Sequence, residues 1–114
     1  MFDCIFCKIV NGDIPTDLIY ESKTVVAFHD INPQAPIHIL VIPKKHINTL
    51  NDIDKIDKNL LGDLQIAASE IAKIKKIEID GYRTIINCNK NEGQTVFHIH
   101  LHLIGGRKLN WPPG

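Results

Sequence analysis

Phe97-His98-Ile99-His100-Leu101-His102-Leu103-Ile104 holds three of the six histidines of a 114-residue chain, at strict two-residue spacing. Along a strand, successive side chains point to opposite faces. His98, His100 and His102 therefore share one face, about 6.5–7 Å apart at a rise of ~3.3 Å per residue. Ile99, Leu101 and Leu103 cover the other face and read as core. Alternation of this kind builds any half-buried strand, and one histidine in it would need no further reason. Three in register, followed by Gly105-Gly106, point to chemistry.

Working outward, Tyr82–Asn87 reads as the preceding strand, with a polar turn region over Asn89–Gln94. Asp80-Gly81 ends a region in which Ile56, Leu60, Leu64, Ala67 or Ala68, Ile71 and Ile74 recur every three to four residues. That period predicts an amphipathic helix from Asp57 to Lys75. Toward the N-terminus, Ile37–Ile42 is a β-rich run ended by Pro43, apolar enough for a central strand. Asp30–Pro36 is a proline-bracketed loop. Leu18–Glu21 and Val25–Phe28 read as two short strands around Ser22-Lys23. Cys4–Val10, ended by Asn11-Gly12, reads as one or two helical turns. The result is α+β: a five-stranded antiparallel sheet with one long and one short helix.

Composition bounds the rest. The length suits one domain over 1–114, and 44% hydrophobic and 23% charged residues are globular values. Thirteen basic side chains cancel thirteen acidic ones, which argues against a general nucleic-acid or anionic-membrane binder. No apolar run approaches the ~20 residues of a membrane span. Met1-Phe2-Asp3-Cys4 lacks the character of a signal peptide, so a cytoplasmic protein is expected. Three cysteines, Cys4, Cys7 and Cys88, point away from a disulfide framework. Cys4-x-x-Cys7 is half a zinc site or a pair of buried thiols. A redox role lacks its usual surroundings.

The residues before the histidines also suit phosphate chemistry. Gly93 lets a backbone N–H approach an anion, and Asn87 and Thr95 offer neutral hydrogen bonds. Imidazole can attack phosphorus or pass a proton near neutrality. Gly93 alone could merely turn a hairpin, and Asp30 could merely make an Asx turn.

His-Ile-His-Leu-His-Leu-Ile resembles the signature of the histidine-triad (HIT) nucleotide-binding family. Phe28–Pro36, Val41–His46, Gly93-Gln94 and Gly105-Gly106-Arg107 resemble further stretches of it. Trp111-Pro112-Pro113-Gly114 is similar to the Hint branch. The resemblance implies hydrolysis of purine nucleoside 5′-phosphoramidates through a nucleotidyl-histidine. His100 would be the nucleophile. His102 and Thr95 would pass a proton to the leaving amine, and His38 would support the triad. Nucleotide contacts are implied at Ile5, Phe6, Ile9, Phe28, His29, Asp30, Ile31, Leu40, Asn87, Gly93, Gln94, Thr95, Val96, His100 and His102, with Asp30 on the ribose. Ile5, Ile9, Phe28 and Leu40 would also be core residues in any chain.

Some bacterial relatives carry CxxC here, which implies a structural zinc on Cys4, Cys7, His46 and His98. The resemblance further implies a homodimer, its sheet extended across a two-fold axis through Tyr82–Asn87 and the long helix. The tail 105–114 would contribute to the interface and active site. A dinucleoside polyphosphate hydrolase and a non-catalytic nucleotide- or zinc-binding module are the alternatives. Glu92 departs from a glycine common in the family and is expected to face solvent.

Overall fold

A computed structural model describes residues 3–114. Helix α1 (Ile5–Val10) precedes strands β1 (Tyr20–Glu21), β2 (Val25–His29) and β3 (Ile37–Pro43). Helix α2 (Lys58–Ile74), β4 (Tyr82–Ile85) and β5 (Leu101–Gly105) follow. The strands form one antiparallel sheet in the order β1-β2-β3-β5-β4. The apolar run Ile37–Pro43 is central, as its composition requires, and is buried from His38 onward.

Alternation divides the sheet into two faces. Val25, Ala27, Ile39, Val41, Leu101 and Leu103 meet Leu64, Ala67, Ala68, Ile71 and Ala72 of α2 in the main core. Val26, Phe28, Leu40 and Ile42 face the other way and pack against Phe6 of α1. His38 and His102 belong to this second face by the same parity. Among the described residues, no helix is long and apolar enough to cross a membrane.

Two expectations are corrected. The apolar stripe of α2 does not include its ends: Ile56 is 83% and Ile74 is 61% exposed. Ile56 lies in a separate 3-10 turn, Lys55–Asp57, capped by Asp54. That turn's tighter winding breaks the helical period before α2 begins.

The histidine strand is also shorter than its pattern. It starts at Leu101, leaving His98 in a bend and His100 in irregular chain outside the ladder. The register pairs Val41 with Leu101, so two steps on Pro43 would face Ile99. Proline has no N–H to donate, and the ladder stops. Other bonds replace it. Ile99 N donates to Ile47 O at 2.8 Å, and His98 Nε2 donates to Pro43 O at 2.8 Å. The alternation survives, with Ile99 in the main core and His98 and His100 buried.

Candidate functional site

The imidazoles of His38, His102 and His100 are held by partners that fix where their protons lie. The backbone N–H of Gln34 donates to His38 Nδ1 at 2.9 Å. An N–H cannot accept, so His38 carries its proton on Nε2. From there it donates to His102 Nδ1 at 2.9 Å, with Asp30 Oδ2 at 3.3 Å. His102 then carries its own proton on Nε2. His100 Nδ1 lies 2.8 Å from His98 O. A carbonyl can only accept, so the His100 proton is on Nδ1 and its Nε2 keeps a lone pair.

The rings form a connected row. His38 and His102 have centroids 5.1 Å apart, His102 and His100 5.0 Å, and His100 meets Phe6 edge-on at 5.1 Å. Phe6 in turn packs on Phe28 at 5.7 Å. Burial holds His100 below the usual histidine range and pushes His102 down to about 4, helped by its histidine neighbours. Both rings are therefore neutral at pH 7, where sequence alone suggests a mixture of forms.

This has a consequence for stability. A free histidine titrates near 6.5 (~6.5 in the unfolded chain). As pH falls below that value the unfolded chain takes up a proton that folded His102 refuses until about 4. Its contribution is thus present above ~6.5 and lost as pH falls toward 4. The melting temperature is expected to decline through this window, and His102→Asn to remove part of the slope. A flat calorimetric profile in the parent protein would contradict it.

Asp30 serves two partners. Oδ1 accepts from Asn32 N at 2.8 Å, the Asx turn left open by the sequence, and Oδ2 faces His38. Phe6, Phe28 and Leu40 are buried in the second core cluster, with Ile9 and Val96 packed against it. Ile5 is 48% exposed and Ile31 fully so, and His29 is exposed at the end of β2.

The remaining expected contacts divide between two cavities. His38, Asn87 and His102 line one of about 750 Å³, which also takes in Arg83, Glu92 and Trp111. Ile5, Thr95 and Val96 line another of about 600 Å³ beside Cys4 and His46. Gly93, at φ +102°, sits close enough to Asn87 that an added Cβ would lie 3.8 Å from its Nδ2.

The side chain of Gln94, an expected nucleotide contact, serves as a strut. It is only 3% exposed. Its Oε1 accepts from Asn89 N at 2.8 Å, and its Nε2 donates to Asn48 O at 2.7 Å and Val96 O at 3.1 Å. Gln94→Ala leaves these backbone groups without their partner and is expected to cost about 2–4 kcal/mol. Denaturant unfolding checks this; a loss under ~0.5 kcal/mol would mean that water replaces the amide.

The second constellation is Cys4, Cys7, His46 and His98, whose ligand atoms all lie within 4.8 Å of one another. His98 Nε2 is used on Pro43 O, and His46 Nε2 donates to Asn48 Oδ1 at 2.6 Å. Both Nδ1 lone pairs are thereby turned inward, 3.1 Å apart. Cys4 Sγ is 3.4 Å and Cys7 Sγ 3.6 Å from His98 Nδ1, and Cys7 Sγ is 3.2 Å from His46 Nδ1. Donor atoms around a tetrahedral zinc are about 3.3–3.8 Å apart, given bonds of ~2.1 Å to nitrogen and ~2.3 Å to sulfur. Two lone pairs facing each other repel unless a cation lies between them. Burial and Cys4 raise the Cys7 thiol, so a metal entering here displaces protons. The donor set fits zinc.

Sequence reasoning missed Asn48, which orients His46, although its place two residues after a candidate ligand was a usable signal. It also missed Arg83. That side chain donates from Nη2 to Asn110 O at 2.9 Å and lies over the Trp111 ring at 5.7 Å. The tail thus lies against its own chain.

A family model described as HIT domain matches residues 11–109. An uncharacterised HIT-like protein of Buchnera aphidicola subsp. Baizongia pistaciae is 53% identical over 106 residues, 93% of this chain and 95% of the relative. The crystal structure of a HIT family hydrolase from Legionella pneumophila Philadelphia 1 superposes with a TM-score of 0.96 at 50% identity, covering 98% of this chain and all of that one. A histidine triad nucleotide-binding protein from Candida albicans gives a TM-score of 0.81 at 32% identity, covering 96% of this chain and 83% of that one.

Proposed function

Because the chain belongs to the HIT domain family, we propose that it hydrolyses purine nucleoside 5′-phosphoramidates to nucleoside monophosphates. The Legionella relative is named a hydrolase and the Candida relative nucleotide-binding, which supports the class of reaction. The observation that carries the reading is the proton placement at His100. Nδ1 is committed to a main-chain carbonyl, so a neutral, lone-pair Nε2 remains available as a nucleophile.

In the first step His100 Nε2 bonds to phosphorus and the P–N bond breaks, its electron pair going to the amine. The leaving nitrogen takes the proton of His102 Nε2–H, and His102 regains one from the attacking water in the second step. In the second step water bonds to phosphorus and the His100–phosphorus bond breaks. Over the cycle the hydroxyl ends on phosphorus and the proton on the amine. His38 holds His102 in the required tautomer, and Asn87 and the Gly93 loop serve the phosphate oxygens. Asp30 takes the ribose, and Phe6, Phe28 and Leu40 the base.

Zinc on Cys4, Cys7, His46 and His98 supplies a structural crosslink, and no chemical step passes through it. Strand β4 is an open sheet edge, and Tyr82 on it is exposed. An edge of this kind supports a homodimer paired through β4.

The test is phosphorus NMR of purified protein with adenosine 5′-phosphoramidate, beside diadenosine triphosphate. The expected result is adenosine monophosphate from the first and much slower turnover of the second. Absence of phosphoramidate cleavage sinks the proposal.

A further inference from the structure

We infer that Glu92 selects substrates whose leaving amine carries a further positive charge, such as phosphoramidates of diamines or of basic side chains. The inference rests on the phosphoramidase reading above and names the substrate class within it.

Glu92 is exposed, as the sequence suggests, yet it also lines the cavity shared by His38, Asn87 and His102. Its backbone is braced. Glu92 ends a single 3-10 turn, Lys90–Glu92, set between Asn89 at φ 70° and Gly93 at φ 102°. Gln94 ties that turn to the loop at Asn48. The carboxylate is therefore presented from a fixed turn and not from a loose loop.

Arg83 is the other charged side chain lining the cavity. The three ion pairs among the described residues do not involve Glu92. Arg83, the opposing charge, is held by Asn110 O and the face of Trp111. His38 and His102 each carry one proton by their hydrogen-bond partners. Of the two charged side chains lining that cavity, Arg83 and Glu92, Glu92 has no ion-pair partner among the described residues, and we place it toward the leaving group.

A cationic leaving group gains from that charge, an anionic one loses, and a polyphosphate leaving group loses most. Between charges held at a solvent-open site, reversing the sign of one partner changes binding on the order of tenfold. The same carboxylate repels a doubly charged monophosphate product more than a singly charged phosphoramidate, which favours product release.

The experiment compares adenosine phosphoramidates of three amines of similar length: aminobutyl (cationic), butyl (neutral) and carboxypropyl (anionic). For the parent protein kcat/KM is expected to fall in that order, with a spread of roughly tenfold that shrinks at high salt. Glu92→Gln collapses the spread and Glu92→Lys inverts it. Equal rates in the parent, an order that survives Glu92→Gln, or a preference for the anionic amine through Arg83 overturns the inference. Calorimetric binding of the same three intact compounds to His100→Asn protein reads the charge order without turnover. If that order holds but nothing is hydrolysed, the phosphoramidase reading fails and the selection stands. If hydrolysis occurs with no charge order in rate or binding, the reverse is true.

Discussion

Replacing His100 by asparagine is expected to lower phosphoramidate turnover by about four orders of magnitude or more, the scale on which removing a covalent nucleophile acts. The fold and nucleotide binding should persist. Asparagine is close to imidazole in reach, and its amide N–H can donate to His98 O as His100 Nδ1 does. What it lacks is the second nitrogen, the one with the lone pair. Steady-state kinetics with far-UV circular dichroism and nucleotide calorimetry separate the outcomes. Near-normal turnover would remove His100 as the nucleophile. A collapsed fold would say that the ring is needed for its contact with Phe6 at 5.1 Å.

Purified protein is expected to carry about one zinc per chain, and Cys7→Ser to lose it with a melting temperature lower by 10 °C or more. A ligand present at about 1,000 times its dissociation constant adds about 4 kcal/mol. In a domain of this size each kcal/mol moves the midpoint by about 4 °C. The loss should be large because the four donors join separate parts of the chain: α1 through Cys7, the segment after β3 through His46 and the approach to β5 through His98. Within α1 only Phe6 is buried, with the partly buried Ile9 and Val10 packed against the second core cluster. Elemental analysis and thermal melts with and without chelator check this. Metal-free protein whose melting is indifferent to both chelator and Cys7→Ser would refute it.

The alternation at Ile99, Leu101 and Leu103 made the buried face legible, because period two holds along the strand and carries back to Ile99 before it. The start of β5 was not legible from that stretch alone. It is set by Pro43 on the neighbouring strand, and only the register brings the two together. Leu64, Ala67, Ala68 and Ile71 were readable as the inner stripe of α2. Ile56 was misassigned because the Asp54–Asp57 capping box winds a separate turn there, a D-x-x-D spacing visible in the sequence. The proton positions at His38, His98 and His100 depend on main-chain partners at Gln34, Pro43 and His98, which no side-chain pattern encodes. Gln94 was visible as a polar residue beside a turn glycine, but its burial comes from Asn48 across the fold.

His98 has its ring among the cysteines and its carbonyl on the nucleophile. Substitution changes a ring, while every amino acid brings the same carbonyl. Over evolutionary time the two ends can therefore drift separately. A lineage could exchange Cys4, Cys7 or the His98 ring and still inherit the hydrogen bond that sets the His100 proton, provided the main chain there keeps its course.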